Sequence, residues 1–589
     1  MEQDRRLFSL ILPSDDLPQE KTMYYRIRKG TTRSDGQALL FPAGSTLSFD
    51  CYYNVLDYAT YRETCDLDLV EYHLSVRGNV TVSLFLSRFT DREETYEDVL
   101  LSETTIRAVE ATEVRIPLSL SSLEGRGVVY PVITALSDAS FLGGYIEAAT
   151  DPRQRIKIGI AITTFKREPF VKRNVSVLVR DLPAERFGVF VTDNGNTLSP
   201  ADIPGARLIP NKNLGGSGGF TRGIMEVSAS EGYTHILLTD DDITFESEVF
   251  RRTAALLSYA TDPDNVVVGA SMLVLDKPYL QYEFGSHWNG RFVVPRNGGE
   301  DERIKLSLLR NADPDRPAEY TAWWFNCFSV SLPERIGLPF PFFIKIDDVE
   351  YCYRAAGVRF VLMNGVGVLH EAFGNKYSAV LEYYAKRNEL IFNALYPEKG
   401  GLLSSMLILC RAVAKALVFQ RYFVLDLVYK AFDDFLAGPE AFARVDQEKL
   451  HAELRSLGEK YLTREELTAQ GYDCDRPAPL PQTNACKLRK VLTLNGYLLP
   501  AKCEDYRLAD ITKEKVYFYY RARHVLQYNP LTEKGFVTTQ KRGYLFRAGF
   551  RLVGYFFKML FKYRKVARAY RAALPEIISL NAWRKRLSL

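Results

Sequence analysis

Cysteine is scarce and shows no pairing pattern. The chain has 589 residues, and Cys51, Cys65, Cys327, Cys352, Cys410, Cys474, Cys486 and Cys503 include no C-x-x-C and no regular spacing. A disulfide framework and the common zinc modules are thereby excluded, and reduced thiols in a cytoplasmic setting are expected. A secretory leader is not expected either, because the opening MEQDRRLFSLILPSDD has a short apolar run with acids close behind it. Long apolar runs are also wanting. The best, Leu402 to Cys410, covers nine residues before Arg411 and Lys415, so no membrane-crossing helix is expected. The one conspicuous glycine-rich stretch, NKNLGGSGGF, lacks the GK[ST] of a P-loop and the G-x-G-x-x-G of a dinucleotide site. No internal repeat is visible.

Acidic residues are almost missing from one region. From Lys534 to the end, fourteen Lys and Arg face a single acid, Glu576, although the whole chain carries only +4. A basic tail on an acidic body implies an anionic surface as partner. At 100° per residue, Phe546, Phe550, Val553, Phe557, Leu560 and Phe561 fall within about 100° of arc, with Arg547, Arg551, Lys558, Lys562 and Lys565 alongside. That pattern suits an anionic bilayer. Two alternatives stay open: the apolar face docks on the protein's own helices, or the basic tail binds RNA. Membrane association is the expectation, and no nucleic acid.

What is present reads as several domains. With 47% hydrophobic and 25% charged residues the chain is globular. Residues 1–150 read as all-β: LVEYHLSVRG, VTVSLFLSRF, EVRIPLSLS and VVYPVITALSD are β-branched or aromatic runs punctuated by Gly, Asp and Ser. A sandwich or jelly roll is expected, serving as a spacer or as a contact in a homo-oligomer. Near Asp151 the pattern changes. RIKIGIAITTF is a continuous apolar run, as in a strand buried on both faces. VKRNVSVLVRDL, FGVFVTDNG, ARLIPN, GGFTRGIMEVSAS and HILLTDDD then alternate in the rhythm of a doubly wound parallel sheet. Beyond EYYAKRNELIFNAL the chain is expected to be helical over 396–530, with LLSSMLILCRAVAKALVF and RYFVLDLVYKAFDDFLAG as helices and DRPAPLPQ as a linker. The tail occupies 531–589.

The candidate site centres on HILLTDDDITF. An apolar strand ends in Asp240, Asp241 and Asp242, where open α/β sheets place ligands. Like charges on adjacent residues call for a cation, and a hard divalent ion bridging to a phosphate fits. Downstream, YTAWWFNCFSVS puts Trp323 and Trp324 in a strand-like segment, so that only one of them can face a cleft. FFIKIDDVEYCYRAAG brings Asp347 and Asp348 to a helix start with Glu350 following, and VRFVLMNGVGVLHEAFG ends a strand at His370.

In order, TTFKR, TDNG, NLGGSGG, TDDD, WW, IDD-x-E and HE resemble the inverting glycosyltransferases of GT-A fold, the large family-two group. The fuller set, including NLGGxGGFxRG and FIKxDDxxYxxR, is similar over roughly residues 155–395 to the galactofuranosyltransferases that use UDP-galactofuranose. The resemblance implies a GT-A domain over 151–395 behind the β domain. It implies Asp240 at the nucleotide ribose, and Asp242 with His370 as ligands of Mn²⁺ or Mg²⁺. It also implies Arg167, Asp193 and Asn213 in the nucleotide pocket, and Asp348 as the general base. Asp347, Lys345 and Trp323 or Trp324 would then contact sugar. UDP-galactofuranose is the implied donor and a glycan or glycolipid the implied acceptor, at the inner face of the cell membrane. Phe373 in place of a tryptophan, and IKI in place of IKW, imply a different acceptor side. An inactive glycan-binding scaffold is the competing reading, against which the completeness of the acid and histidine set counts.

Overall fold

A computed structural model describes all residues except 1–4, 15, 16, 18, 19, 37, 91–94, 373–377, 478–488, 491 and 502–504. Phe373 and much of the proline-rich stretch therefore lie outside the described residues. The chain divides into two compact units. One is Met1–His287, Val294–Leu338 and Tyr351–Glu371; the other is Trp288–Val293, Pro339–Glu350 and Ala372–Leu589.

In the first unit, nine strands from Arg6 to Ala148 form one antiparallel network. LVEYHLSVRG and VTVSLFLSRF, which read as two strands, are a single one, Leu69–Phe89. Gly78 lies between them with φ +97°, and the pairing with Tyr96–Ser119 slips a register there, so a bulge carries the chain through. That strand pairs with Gly127–Ala135 through its second half and with Ala139–Ala148 through its first. Alternation sets its faces: Val70, Tyr72 and Leu74 are buried, while Glu71 and His73 point the other way.

The same unit holds a mixed seven-stranded sheet in the order Arg207–Pro210, Phe187–Asp193, Ile158–Thr164, His235–Asp240, Asn326–Ser329, Val266–Gly269 and Arg359–Val361. The first four are parallel, as their continuous apolar runs predict, whereas Asn326–Ser329 is antiparallel to both its neighbours. Helices Glu168–Asp181 and Gly215–Ser228 connect the parallel strands. The glycines read as a loop form the first turns of the second helix. They allow close packing, since a Cβ on Gly219 would sit 2.1 Å from Thr163 Cγ2 and one on Gly223 2.9 Å from Ala161 Cβ. A four-stranded sheet, Thr244–Phe245, Gly367–His370, Ser271–Val274 and Lys277–Glu283, stands beside it.

The β-rich N-terminal segment is bound into this unit by buried polar contacts, which a spacer would not need. Asn364 donates to both oxygens of Asp57, from its backbone N–H at 2.7 Å and its side chain at 2.9 Å. The fully buried Arg252 donates to the carbonyls of Gly365 and Ser9, and Tyr52 bonds the Ser271 hydroxyl.

The second unit contains helices Ala379–Leu395, Gly401–Val418, Tyr422–Leu436 and the 36-residue Arg542–Ile577. It is not purely helical as expected. Leu462–Thr463, Lys534–Thr539, His524–Asn529 and Arg507–Asp510 form a sheet, because HVLQYN and KGFVTT are short β-branched and aromatic runs that pair as a hairpin across the expected boundary at 530. The expectation of no spanning segment also needs correction. Gly401–Val418 is long and apolar enough to cross a membrane by length and composition, since Arg411 and Lys415 do not interrupt the helix. The six described cysteines are all free thiols, as expected.

Candidate functional site

Three parallel strands deliver their carboxyl ends together. Thr164 is in register with Asp193, and Thr163 with Asp240. Past Asp240 the chain turns, and Thr244 pairs with Leu369 in the small sheet. That pairing brings His370, the last residue of its strand, back to the acidic turn. One ligand atom each from Asp240, Asp242 and His370 lies within 4.8 Å of the others, and His370 Nε2 is 3.2 Å from Asp242 Oδ1. Nδ1 of the buried His370 donates to the Glu371 carbonyl at 2.7 Å, which turns Nε2 toward the carboxylates. Two carboxylates and one imidazole fit a divalent cation.

Asp241 does different work from its neighbours. Its carboxyl points inward, accepts from the Thr164 hydroxyl at 2.7 Å, and is pushed up to about 7 by burial. Asn174 clamps the turn from below, donating to the carbonyls of Asp241 at 2.9 Å and Ile243 at 3.0 Å. Arg167 donates to Asp242 and lies 3.6 Å from Asp241. Thus Arg167, Asp240, Asp242 and His370 are brought together. Thr164 and Asn174 are supports that the sequence reading missed; their only signal was a polar residue inside an apolar strand or helix.

Asp193 and Asn213 sit on the adjoining loops. Asp193 is buried, and its oxygens accept the backbone N–H of Gly195, Thr197 and Leu198 at 2.7–2.9 Å, so it shapes the TDNG loop. Asn213 accepts the Gly215 N–H at 3.1 Å, and Asn211 ties this loop to Asn194 at 2.8 Å. The tryptophans lie in a turn ahead of Asn326–Ser329, not in a strand, so strand alternation does not separate them. Both are buried: Trp323 packs on Phe220 and Tyr351, and Trp324 lies beside the His370 ring with centroids 6.5 Å apart.

Lys345, Asp347 and Asp348 belong to the second unit. They follow a turn in which Phe343, Lys345 and Ile346 have φ of +76°, +71° and +69°. Such conformations cost about 1–3 kcal/mol each and persist only where neighbours enforce them. The enforcers are Arg387, which donates to the Phe342 carbonyl at 3.0 Å, and Asn388, which donates to those of Ile344 and Lys345 at 3.0 and 2.9 Å. Both are buried in helix Ala379–Leu395, and both were missed from sequence. Asp348 is half-buried and accepts the Val349 N–H at 2.8 Å, while Asp347 is buried. Glu350 is fully buried and accepts from Tyr396 at 2.8 Å, which makes it a structural acid.

The chain has relatives among known proteins. Residues 7–146 match the family described as Galactofuranosyltransferase 2 N-terminal. The chain is 27% identical to galactofuranosyltransferase GlfT2 of Mycolicibacterium smegmatis over 491 residues, 77% of this chain and 74% of the relative. It is 28% identical to GlfT2 of Mycobacterium tuberculosis over 460 residues, 72% of this chain and 69% of the relative. Similar solved structures include the mannosyltransferase PcManGT from Pyrobaculum calidifontis in complex with GDP-Man and Mn²⁺, at 15% identity and a TM-score of 0.30, covering 52% of this chain and 86% of that one. S. aureus TarS 1-349 matches at 14% identity and a TM-score of 0.31, covering 56% and 97%. The resemblance to galactofuranosyltransferases, and the expectation of a sugar-transferring enzyme, are borne out by the two curated relatives.

Proposed function

We propose that this chain transfers galactofuranose from UDP-galactofuranose to a hydroxyl of a lipid-linked glycan, with inversion at the anomeric carbon. One observation carries the reading: Asp240, Asp242 and His370 close into a single donor set at the carboxyl ends of a parallel sheet, in a chain whose curated relatives are galactofuranosyltransferases. In this reading residues 1–150 form a β-sandwich and 151–395 a GT-A domain; the helical region expected over 396–530 runs on through its hairpin to Thr539, and the membrane-associating part of the expected tail 531–589 begins with the helix at Arg542.

Asp242 and His370 would hold Mn²⁺ or Mg²⁺, with Asp240 at the ribose. A divalent cation there would offset the charge that develops on the departing diphosphate. Arg167 reaches the same carboxylates and supplies a guanidinium suited to phosphate oxygens. Asp193 and Asn213 shape the loops of the nucleotide pocket, and Trp324, beside His370, is the better placed of the two tryptophans to meet the sugar. Asp348 is the proposed general base: it accepts the proton of the acceptor hydroxyl as that oxygen attacks the anomeric carbon. Asp347 and Lys345 would orient sugar hydroxyls. The burial of Glu350 supports Asp348 over that neighbour.

We also infer attachment to the inner face of the cell membrane. Phe546, Phe550, Val553, Phe557, Leu560 and Phe561 are each more than half exposed, with Phe550 and Phe561 near 80%. The opposite face of the helix, Tyr555, Met559, Tyr563 and Tyr570, is the one that packs inward, Tyr570 stacking on Phe435. Docking of the Phe face on the protein's own helices is therefore not supported. Leu403 and Leu407 of Gly401–Val418 add exposed apolar surface.

The functional test is UDP release with product analysis, offering UDP-galactofuranose, UDP-galactopyranose and UDP-glucose with short glycan acceptors. Fastest turnover is expected from the furanose donor. Faster transfer from a pyranose donor would overturn the donor assignment, and no release from any donor would favour a binding scaffold.

A further inference from the structure

A second cluster of metal-ligating groups lies on the outward face of the Leu69–Phe89 strand, away from the acidic turn. Glu71 and His73 are two residues apart and share that face. In the neighbouring strand Ala139–Ala148, Glu147 is directly opposite Glu71, and Tyr145 directly opposite His73. Like charges directly opposed across two strands repel and destabilise the pairing unless a cation lies between them. The described ion pairs give neither Glu71 nor Glu147 a Lys or Arg, and their nearest charged partner is the imidazole of His73; the cations around them stand one strand further out, Arg6 opposite Glu147 with its guanidinium over the Tyr145 ring, and Arg115 opposite His73.

The His73 side chain is 2% exposed, and its Nε2 has no hydrogen-bond partner. That nitrogen points between the two carboxylates, 3.3 Å from Glu147 Oε1 and 3.5 Å from Glu71 Oε2. A proton on Nε2 could serve only one of them. A tetrahedral cation with bonds of about 2.0–2.2 Å would hold its ligand atoms roughly 3.3–3.5 Å apart, and so serves all three. The rest of the imidazole is built to match. Nδ1 lies 3.1 Å from Glu113 Oε1, the carboxylate partner that fixes the tautomer of a metal-bound histidine. Glu113 is itself neutralised by Arg115 at 2.7 Å. Tyr145 stacks on the imidazole with centroids 4.5 Å apart and planes within 7°, which sets the ring's orientation.

We propose that Glu71, His73 and Glu147 form a binding site for a divalent transition metal, Zn²⁺ by preference, that clips the Leu69–Phe89 and Ala139–Ala148 strands together. One nitrogen and two oxygens in a small tetrahedral set suit Zn²⁺ or Co²⁺. They suit Ca²⁺ and Mg²⁺ poorly, because those ions ask for six or more ligands, and here no diphosphate stands by to complete the shell as a nucleotide donor would at the acidic turn. The role is structural: a cation that binds the folded strands and not the unfolded chain stabilises the fold by mass action.

The test uses the full chain carrying Asp242→Asn, so that the acidic turn has lost one of its ligands. After chelation and gel filtration, the protein is loaded with Zn²⁺ and its bound metal measured by elemental analysis. Retention of one equivalent is expected, together with an unfolding temperature that rises with free Zn²⁺. Adding Glu71→Gln and Glu147→Gln should abolish both effects. Retention of zinc by that variant, or its absence from Asp242→Asn alone, would overturn the proposal. Should the added substitutions prevent folding, Co²⁺ loading of Asp242→Asn decides by itself. An intense visible d–d band, the mark of tetrahedral coordination, is expected, and the weak spectrum of six-coordinate Co²⁺ would overturn it.

Discussion

His370 Nε2 stands 3.2 Å from Asp242 Oδ1, although one residue ends a strand and the other lies in a turn well over a hundred positions earlier. Two short strands connect them: Thr244 pairs with Leu369, so the last residue of one strand of that pair and the turn before the other must meet. Asp242→Asn is therefore expected to lower turnover by at least about 10²-fold, the scale of losing one electrostatic partner of a developing charge. Thorough chelation should do the same, and added Mn²⁺ should restore the wild type but not the variant. Full activity of either chelated enzyme or Asp242→Asn in a UDP-release assay would remove the metal from the proposed reaction.

Asp348→Asn retains the shape of the helix start but cannot accept a proton. A fall in kcat of about 10²–10⁴-fold is expected. UDP affinity, measured calorimetrically, should be unchanged. Glu350→Gln should behave differently, because Glu350 is buried against Tyr396: its effect should appear in thermal stability before it appears in rate. A near wild-type rate for Asp348→Asn would transfer the role of base to Asp347.

Gly219→Ala tests the close approach of helix to strand. The added methyl would lie 2.1 Å from Thr163 Cγ2 and 2.9 Å from Asn194 Nδ2, so the helix must shift. Overpacking of this kind costs about 1–3 kcal/mol. Since Thr163 is in register with Asp240, a loss of donor affinity should accompany the lower melting temperature. Unaltered KM and stability together would show that the helix yields freely.

Stability should fall as pH rises from 6 to 8.5. Glu302 is fully buried and burial pushes it up to about 8; Asp57, raised by burial to about 6, lies in the same network through Asn311 and Asn364. In each case the folded form binds its proton more tightly than the unfolded chain. The stabilisation is therefore full below pH 4 and is lost as pH climbs through 6 to 8. Glu302→Gln, which keeps the shape without the charge, should flatten the slope of melting temperature against pH. An equally steep slope in that variant would assign the effect elsewhere.

Membrane attachment is best tested without removing the tail helix, because its tyrosine face is packed against the rest of the second unit. Replacing Phe550, Phe557 and Phe561 by Ser leaves that face intact. The intact chain should float with anionic vesicles and not neutral ones, and less so at high salt. The triple variant should lose most of that binding at unchanged melting temperature. Equal flotation of the two would assign the contact to another surface, Leu403 and Leu407 being next.

Much of this molecule was legible in its sequence. Continuous apolar runs marked the parallel strands, because burial on both faces leaves no room for alternation, and the strand-end acids and histidine followed from their position. Contacts made across long separations were hidden. The two-residue strand Thr244–Phe245 has no pattern of its own, so nothing local said that His370 returns to Asp242. Trp323 and Trp324 looked like strand because aromatics favour strands, yet they occupy a turn. Gly78 looked like the end of a strand and is a bulge within one. The polar pair Arg387 and Asn388 in an apolar helix was a visible oddity, intelligible only once the left-handed turn beneath it was known.

Asp57, Ser9 and Tyr52 lie within the first 150 residues, yet their partners Asn364, Arg252 and Ser271 lie deep in the segment that carries the acidic turn. A gene shortened to start at residue 151 would strip those partners of their bonds, at about 1 kcal/mol each, and bare to water the apolar surface that the first 150 residues cover. Against a total stability of about 5–15 kcal/mol, that loss is a large fraction. The segment that carries the acidic turn has thus given up modular inheritance. It cannot be moved onto another N-terminal partner without rebuilding these contacts.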